Sequence, residues 1–286
     1  MKKTLACAAL VSALGIGSLP ALDLSMVSFD AKLGYESEYV AHGRKEGQEN
    51  VQLAVELGAD VGGGHLYGGA TSVVLFKDTL VKDDSGVSFP TPSYSWSSTN
   101  VSPYVGYTFG VGELGKADVG YTAHVYTNLR NYNPPVGVGV RRNTNEVYGG
   151  VRLDVLFDPR IYAFYDFERE ELAFVGGGSY SWDLSPLGLA NISLEAKATL
   201  GYDYTKRPYG GKFFAVSAPA FNDDSKDYFY YCFEGVVAYR YNDNVIFKGR
   251  ASCSGNSASE GSWTNAIFGG KHKNCVWLGG SVEVRF

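Results

Sequence analysis

The chain has 286 residues, a formal net charge of -5, and 36 glycines, 21 tyrosines and 16 phenylalanines against only two methionines. Its modestly acidic balance excludes the basic surface that nucleic-acid binding requires. Its length fits one barrel or two small soluble domains. The glycine-rich and aromatic-rich composition favours the barrel, because strands with one lipid face, one wet face and aromatic girdles need those residues.

Residues 1–21 predict a cleaved signal peptide, which leaves one predicted domain at 22–286. Two lysines precede an apolar run over 5–17, and Ala21 stands at the expected cleavage position. The run is too short for a transmembrane helix, which needs roughly 20 apolar residues. No later segment supplies such a run, so a membrane-embedded chain has to be a closed barrel.

From residue 27 onward, apolar and polar residues alternate in segments of the length that crosses a bilayer as strands. In the first segment, for example, Leu33 and Tyr35 share one face while Lys32 and Glu36 share the other. The rhythm predicts about 12 strands, with about 10 or 14 as the alternatives. The predicted strands cover about 27–40, 51–61, 65–76, 100–109, 117–129, 147–157, 161–167, 172–184, 192–204, 228–240, 245–253 and 276–286.

The connections between these strands alternate in kind. Long polar segments such as 77–99 and 206–227 follow odd strands, whereas short turns such as 62–64 and 158–160 follow even strands. This asymmetry is typical of long external loops and short periplasmic turns. The predicted fold class is therefore all-β: a transmembrane, antiparallel, up-and-down β-barrel.

The two ends of the barrel domain carry a family resemblance. The last strand alternates and ends on Phe286, which resembles bacterial outer-membrane barrels whose carboxy-terminal Phe the barrel assembly machinery recognises. Residues 34–43 resemble the first hairpin of the TorF-like putative porins, with matches at Ser37, Glu38, Tyr39 and Gly43. The resemblance implies a passive channel in the cell outer membrane, with the assembly machinery as a partner through Phe286 and no catalytic residue.

Charged residues on the predicted lumen face are the candidate functional residues. Acidic residues outnumber basic ones on that face, and a ring of carboxylates favours cations over anions. We therefore expect passive diffusion of small polar solutes with a weak cation preference. The predicted pore-lining residues are Glu36, Glu38, Glu56, Asp60, His124, Arg152, Asp154, Asp166, Glu195, Lys197, Asp203, Glu234, Arg240, Lys248, Arg250, Glu283 and Arg285.

An alternative is a closed structural or adhesive barrel that acts through its surface loops. About 12 strands enclose a space between a filled interior and an open channel. The charges could therefore pair and fill the lumen, or the long loops could fold into it. The sequence leaves this choice open, together with the natural solute and the number of subunits.

Three cysteines lie beyond the signal peptide. An exported protein meets an oxidising compartment, so a disulfide is expected. Cys253 and Cys275 bracket the last long loop and are the preferred pair, and Cys232 with Cys253 stays open as the alternative.

Motifs for other chemistries are weak. The GxGxxG pattern at 110–115 is followed by strand-like alternation, whereas dinucleotide binding requires a helix there. A base must reach its nucleophile, and no histidine precedes a serine by two residues on one strand face. No His or Cys cluster has the spacing of a metal site. We expect no enzyme, no cofactor and no metal, with outer-membrane lipid and small polar solutes as the partners.

Overall fold

The computed structural model of the chain describes residues 27–41, 44–47, 49–76, 99–126, 143–168, 170–205, 227–257 and 274–286. The predicted signal peptide and most of the long loops lie outside these ranges. The strands are β1 (Val27–Glu36), β2 (Tyr39–Ala41), β3 (Arg44–Gly47), β4 (Asn50–Val61), β5 (Gly64–Leu75), β6 (Thr99–Gly110), β7 (Gly115–Tyr126), β8 (Thr144–Leu153), β9 (Arg160–Asp166), β10 (Glu171–Asp183), β11 (Ile192–Thr205), β12 (Asp227–Arg240), β13 (Val245–Asn256) and β14 (Asn274–Arg285).

Twelve of these strands form one closed antiparallel barrel. From β4 to β14 each strand pairs with the next, and β1 closes the sheet by pairing with both β4 and β14. Closure removes every edge of the sheet, so all ladder hydrogen bonds are made within the chain, as a bilayer requires. The predicted fold class and the strand number of about 12 are confirmed.

The remaining two strands correct one prediction. The first strand was predicted over 27–40 and the second from 51, but β1 ends at Glu36, and β2 and β3 pair with each other as a separate two-stranded sheet. A bulge between Tyr39 and Val40 shifts the register of this hairpin. Alternation over so few residues is too short to separate a hairpin from a polar loop.

Short turns collect at one end of the barrel, here called the turn end. At Gly62 and Gly63 the backbone has φ of 62° and 85°, which is the left-handed pair that a two-residue hairpin turn requires. The opposite end, the loop end, carries the long connections and the β2–β3 hairpin. The turn-end connections are 62–63, 111–114, 154–159, 184–191 and 241–244.

The boundary of β8 differs from the prediction. The sequence predicts a strand over 147–157, whereas β8 ends at Leu153 and the chain then turns. Within this turn Phe157 and Asp158 have φ of 70° and 42°, a left-handed conformation that a continuing strand does not adopt. Asp154 therefore lies in a turn and not on the predicted strand face.

The outer surface of the barrel is apolar. Leu33, Leu200 and Val276 expose 56%, 62% and 74% of their surface, and similar residues surround the barrel. So large an exposed apolar surface indicates contact with lipid. Exposed aromatic residues flank it at the loop end (Tyr35, Tyr165, Phe229) and at the turn end (Phe109, Trp182, Tyr239, Phe247). The barrel therefore has the lipid-facing surface that the predicted outer-membrane location requires.

Helical structure is minor in the described ranges. It comprises a one-turn 3-10 helix at Ser185–Leu187. Within the part of the chain that the structure describes, no helix has the length and the apolar character needed to cross a membrane.

Candidate functional site: the barrel lumen

Nearly all of the residues predicted to line the lumen lie on the inner face of the barrel wall. Strand alternation and register place them on the inner face, as in the row Asp30, Glu56 and Gly69 across β1, β4 and β5. Two predicted residues are exceptions: Glu38 lies in the bend after β1, and Asp154 lies in the turn after β8. Period-two alternation therefore locates the inner face, although the pore-lining role of these residues stays a prediction.

One side of the lumen, formed by the inner faces of β1 and β11–β14, is held by ion pairs and is here called the ion-pair wall. Lys248 Nζ lies 2.9 Å from Glu283 Oε2, and Arg285 lies 3.0 Å from the same carboxylate and 3.4 Å from Asp30. The members of this wall are Asp30, Lys32, Glu36, Glu195, Lys197, Glu234, Lys248, Arg250, Glu283 and Arg285. Acidic and basic members are equal in number, so their charges compensate.

Arg250 is the centre of the ion-pair wall. Its guanidinium pairs with Glu36 of β1 and lies 3.4 Å from Glu234 of β12, so it joins three strands. The Glu36 side chain is only 6% exposed. A carboxylate that is so buried needs a charged partner, because an unpaired buried charge costs several kcal/mol.

The other side of the lumen, formed by β4–β9, is built from tyrosines and is here called the tyrosine wall. Its members are Glu56, Tyr67, Tyr104, Asp118, Tyr148 and Tyr162. The Tyr67 hydroxyl donates to Asp118 Oδ1 at 2.7 Å, and Tyr162 donates to Asp118 Oδ2 at 3.1 Å. Tyr104 donates to Glu56 Oε2 at 2.8 Å, and the Tyr67 and Tyr148 hydroxyls are 2.7 Å apart. Carboxylates on this wall are thus held by phenols.

Glycines make room for these rings. A row of residues across four strands reads Tyr67, Gly106, Gly120 and Tyr148. A Cβ on Gly106 would lie 2.4 Å from Tyr67 Cζ, and one on Gly120 would lie 2.3 Å from Tyr148 Cζ. Each ring therefore lies along the barrel wall over the glycine of the neighbouring strand. Tyr162 covers Gly150 in the same way, with 2.4 Å to Cδ1.

The tyrosine wall was not predicted from the sequence. Tyrosines were expected in lipid-facing girdles, and the predicted pore-lining residues were charged side chains and His124. The sequence did contain a sign of this wall. Tyr67 and Tyr148 occupy strand positions that alternate with lipid-facing residues, and glycines lie opposite them on the neighbouring strands. That pairing requires the register between strands, which a single sequence does not state.

The turn end of the lumen carries further charges. Lys116, Arg152 and Arg160 lie side by side on β7, β8 and β9, and Arg152 Nε contacts Asp158 Oδ1 at 2.5 Å. Asp60 and His65 are paired at 2.8 Å beside a cavity of about 370 Å³. Arg240 lies at this end of β12.

Polar contacts also join strands at the loop end. Ser102 Oγ lies 2.9 Å from His124 Nδ1, and the Tyr228 hydroxyl donates to buried Asp203. The Ser102–His124 pair was not predicted, because the two residues lie on different strands, β6 and β7. Asp166 accepts a hydrogen bond from the Glu168 backbone N–H at 2.9 Å.

The register gives no support to the preferred disulfide. Cys253 faces outward opposite Val276, whereas Cys275 faces inward opposite Ser254. Cys232 also faces inward, opposite the same Ser254. Both predicted pairings would have to join opposite faces of the sheet, which disulfide geometry does not allow without moving the backbone.

Within the described part of the chain, no group of three or more His, Cys, Asp or Glu side chains is arranged to hold a metal ion.

No family model matches the chain, and no curated protein matches it in sequence. Several solved structures are similar in fold. LpxR from Salmonella typhimurium is 10% identical with a TM-score of 0.51, covering 89% of this chain and 99% of its own. A KdgM porin is 12% identical with a TM-score of 0.44, covering 91% and 99%. Outer membrane phospholipase A from Escherichia coli is 10% identical with a TM-score of 0.41, covering 90% and 95%.

At such identities these likenesses show the fold alone: the chain is an outer-membrane-type β-barrel. The TorF-like assignment is not confirmed, and only the barrel class remains of it. The prediction that the chain is not an enzyme is contradicted, because LpxR, a barrel of similar fold, is an enzyme. The physical reason is that a barrel wall can carry either a channel or a catalytic site, so the fold class does not exclude catalysis.

Proposed function

We propose that the barrel is an outer-membrane channel for passive diffusion of small polar solutes, with a weak preference for cations. The observation that carries this proposal is the polar inner wall. Charged and phenolic side chains line it on β1, on β4–β9 and on β11–β14. A wall of this kind offers a wet path along the barrel axis.

The cation preference rests on the difference between the two walls. On the ion-pair wall, basic residues compensate the carboxylates. Glu56 and Asp118 on the tyrosine wall accept hydrogen bonds from phenols, and no Lys or Arg within the described ranges forms an ion pair with either. Phenols stabilise a carboxylate without neutralising it, so these two positions keep a negative potential that attracts cations.

The test is the current through the refolded protein in a planar bilayer with a potassium chloride gradient. We expect discrete conductance steps and a reversal potential that favours potassium over chloride. Glu113→Gln is the matched control, because Glu113 is an exposed carboxylate in a turn outside the barrel wall. It should leave the reversal potential unchanged. A barrel that is folded by circular dichroism but carries no current would contradict the channel and favour action through the surface loops.

A further inference from the structure

The hydroxyls of the tyrosine wall are engaged in hydrogen bonds, and two of its rings lie over glycines of neighbouring strands. The Tyr67 and Tyr162 hydroxyls are bound by Asp118, and the Tyr104 hydroxyl is bound by Glu56. The Tyr67 and Tyr148 rings lie along the wall over glycines and are half-buried. A solute passing this wall therefore meets aromatic rings whose hydroxyls are already hydrogen-bonded.

Carboxylates lie next to these rings on both the turn-end side and the loop-end side. Strand register puts Asp118 one inward row from the Tyr67 and Tyr148 rings on the turn-end side. Glu56 lies in the next inward row on the loop-end side, beside Tyr104. The basic row of Lys116, Arg152 and Arg160 lies beyond Asp118 at the turn end, and it limits the site on that side.

We propose that the tyrosine wall binds organic cations, namely solutes that carry an alkylated ammonium group. This inference rests on the proposed channel and names the solute class for which the lumen is selective. Aromatic faces attract cations through the ring quadrupole, and the attraction is strongest for weakly hydrated alkylammonium groups. The Asp118 and Glu56 carboxylates add Coulomb attraction from both sides. An anion would meet repulsion from the same carboxylates, and a neutral alcohol would gain only apolar contact.

The experiment is calorimetric titration of the refolded barrel in detergent micelles with choline and with 3,3-dimethylbutan-1-ol. These two probes have the same shape and differ in the positive charge. We expect choline to bind about tenfold more tightly than the alcohol, which is the contribution of a partly desolvated cation–π contact. Equal binding of the two probes would overturn the proposal, since shape and apolar contact alone would then account for it.

Variants locate the site. Tyr148→Leu removes a ring face and should weaken choline binding about fivefold. Tyr148→Phe keeps the ring and should stay within about twofold of the wild type. The matched control is Tyr241→Phe, an exposed tyrosine in the turn after β12. Unchanged choline affinity in folded Tyr148→Leu would overturn the assignment to this wall.

The outcome for this site is separable from the outcome for the channel. A barrel that conducts potassium but does not distinguish choline from the alcohol overturns the organic-cation site and leaves the channel. A barrel that binds choline selectively without carrying current supports the site and contradicts the channel.

Discussion

The ion-pair wall and the tyrosine wall solve the same problem differently. Both hold half-buried carboxylates inside a barrel, and one uses Lys and Arg while the other uses phenols. Ion pairs join strands and cancel charge, as Arg250 does between Glu36 and Glu234. Phenol hydrogen bonds satisfy the carboxylate and leave its charge in place. Under the proposed function, one side of the lumen would stabilise the barrel and the other would select the solute.

The largest expected effect is on the ion-pair wall. Arg250→Met leaves Glu36 buried without its partner, so we expect the free energy of unfolding to fall by about 3 kcal/mol. Urea-induced unfolding in micelles, followed by circular dichroism, measures it. Lys197→Met is the matched control, because its pair with Glu195 at 3.3 Å is more open to solvent. It should cost under about 1 kcal/mol. Equal losses would mean that Arg250 is not the centre of this wall.

The next effect is on the tyrosine wall. Gly120→Ala places a methyl group 2.3 Å from Tyr148 Cζ, so the ring must leave the wall. We expect a loss of about 2 kcal/mol in the free energy of unfolding, typical of overpacking. The control is Gly249→Ala on β13, where a Cβ meets nothing within 4 Å. If both alanine variants unfold at the same urea concentration, the ring does not cover Gly120.

The smallest effect concerns a single hydroxyl. Tyr148→Phe removes the contact of 2.7 Å with the Tyr67 hydroxyl. Because Asp118 still accepts from Tyr67, we expect a loss of only about 1 kcal/mol in the same unfolding measurement. A loss as large as that of Arg250→Met would show that the phenol hydrogen bonds stabilise the barrel as much as the ion pairs do. The two walls would then not differ in their contribution to stability.

Much of the ion-pair wall was predictable from sequence. Charged residues such as Lys248, Arg250 and Glu283 stand at alternate positions in strands whose other face is apolar, and alternation alone fixes their side. The barrel class follows from the same rule applied along the chain. Strand ends were less predictable: Pro159 marks the turn after β8, but the strand already ends at Leu153, and nothing in the local sequence shows that the turn begins there.

The tyrosine wall was not predictable in this way. Tyrosine is equally suited to a lipid-facing girdle and to a wet lumen, so the residue type does not show which face of the strand a tyrosine occupies. What places Tyr67 and Tyr148 is the register that sets Gly106 and Gly120 beside them, and register depends on pairing between strands. The contact between Ser102 and His124 was not predicted for the same reason. The faces of Cys253 and Cys275 likewise became clear only from β13 and β14 paired residue by residue.

The most direct test compares the selectivity of two charge-neutralised barrels in a potassium chloride gradient. Glu56→Gln with Asp118→Asn removes the uncompensated carboxylates of the tyrosine wall. Lys248→Gln with Glu283→Gln removes a compensated pair from the other wall. Our account predicts that the first double variant loses the reversal potential that favours potassium and that the second keeps it. Loss of potassium preference in the second variant alone would contradict the account, because selectivity would then arise from the ion-pair wall.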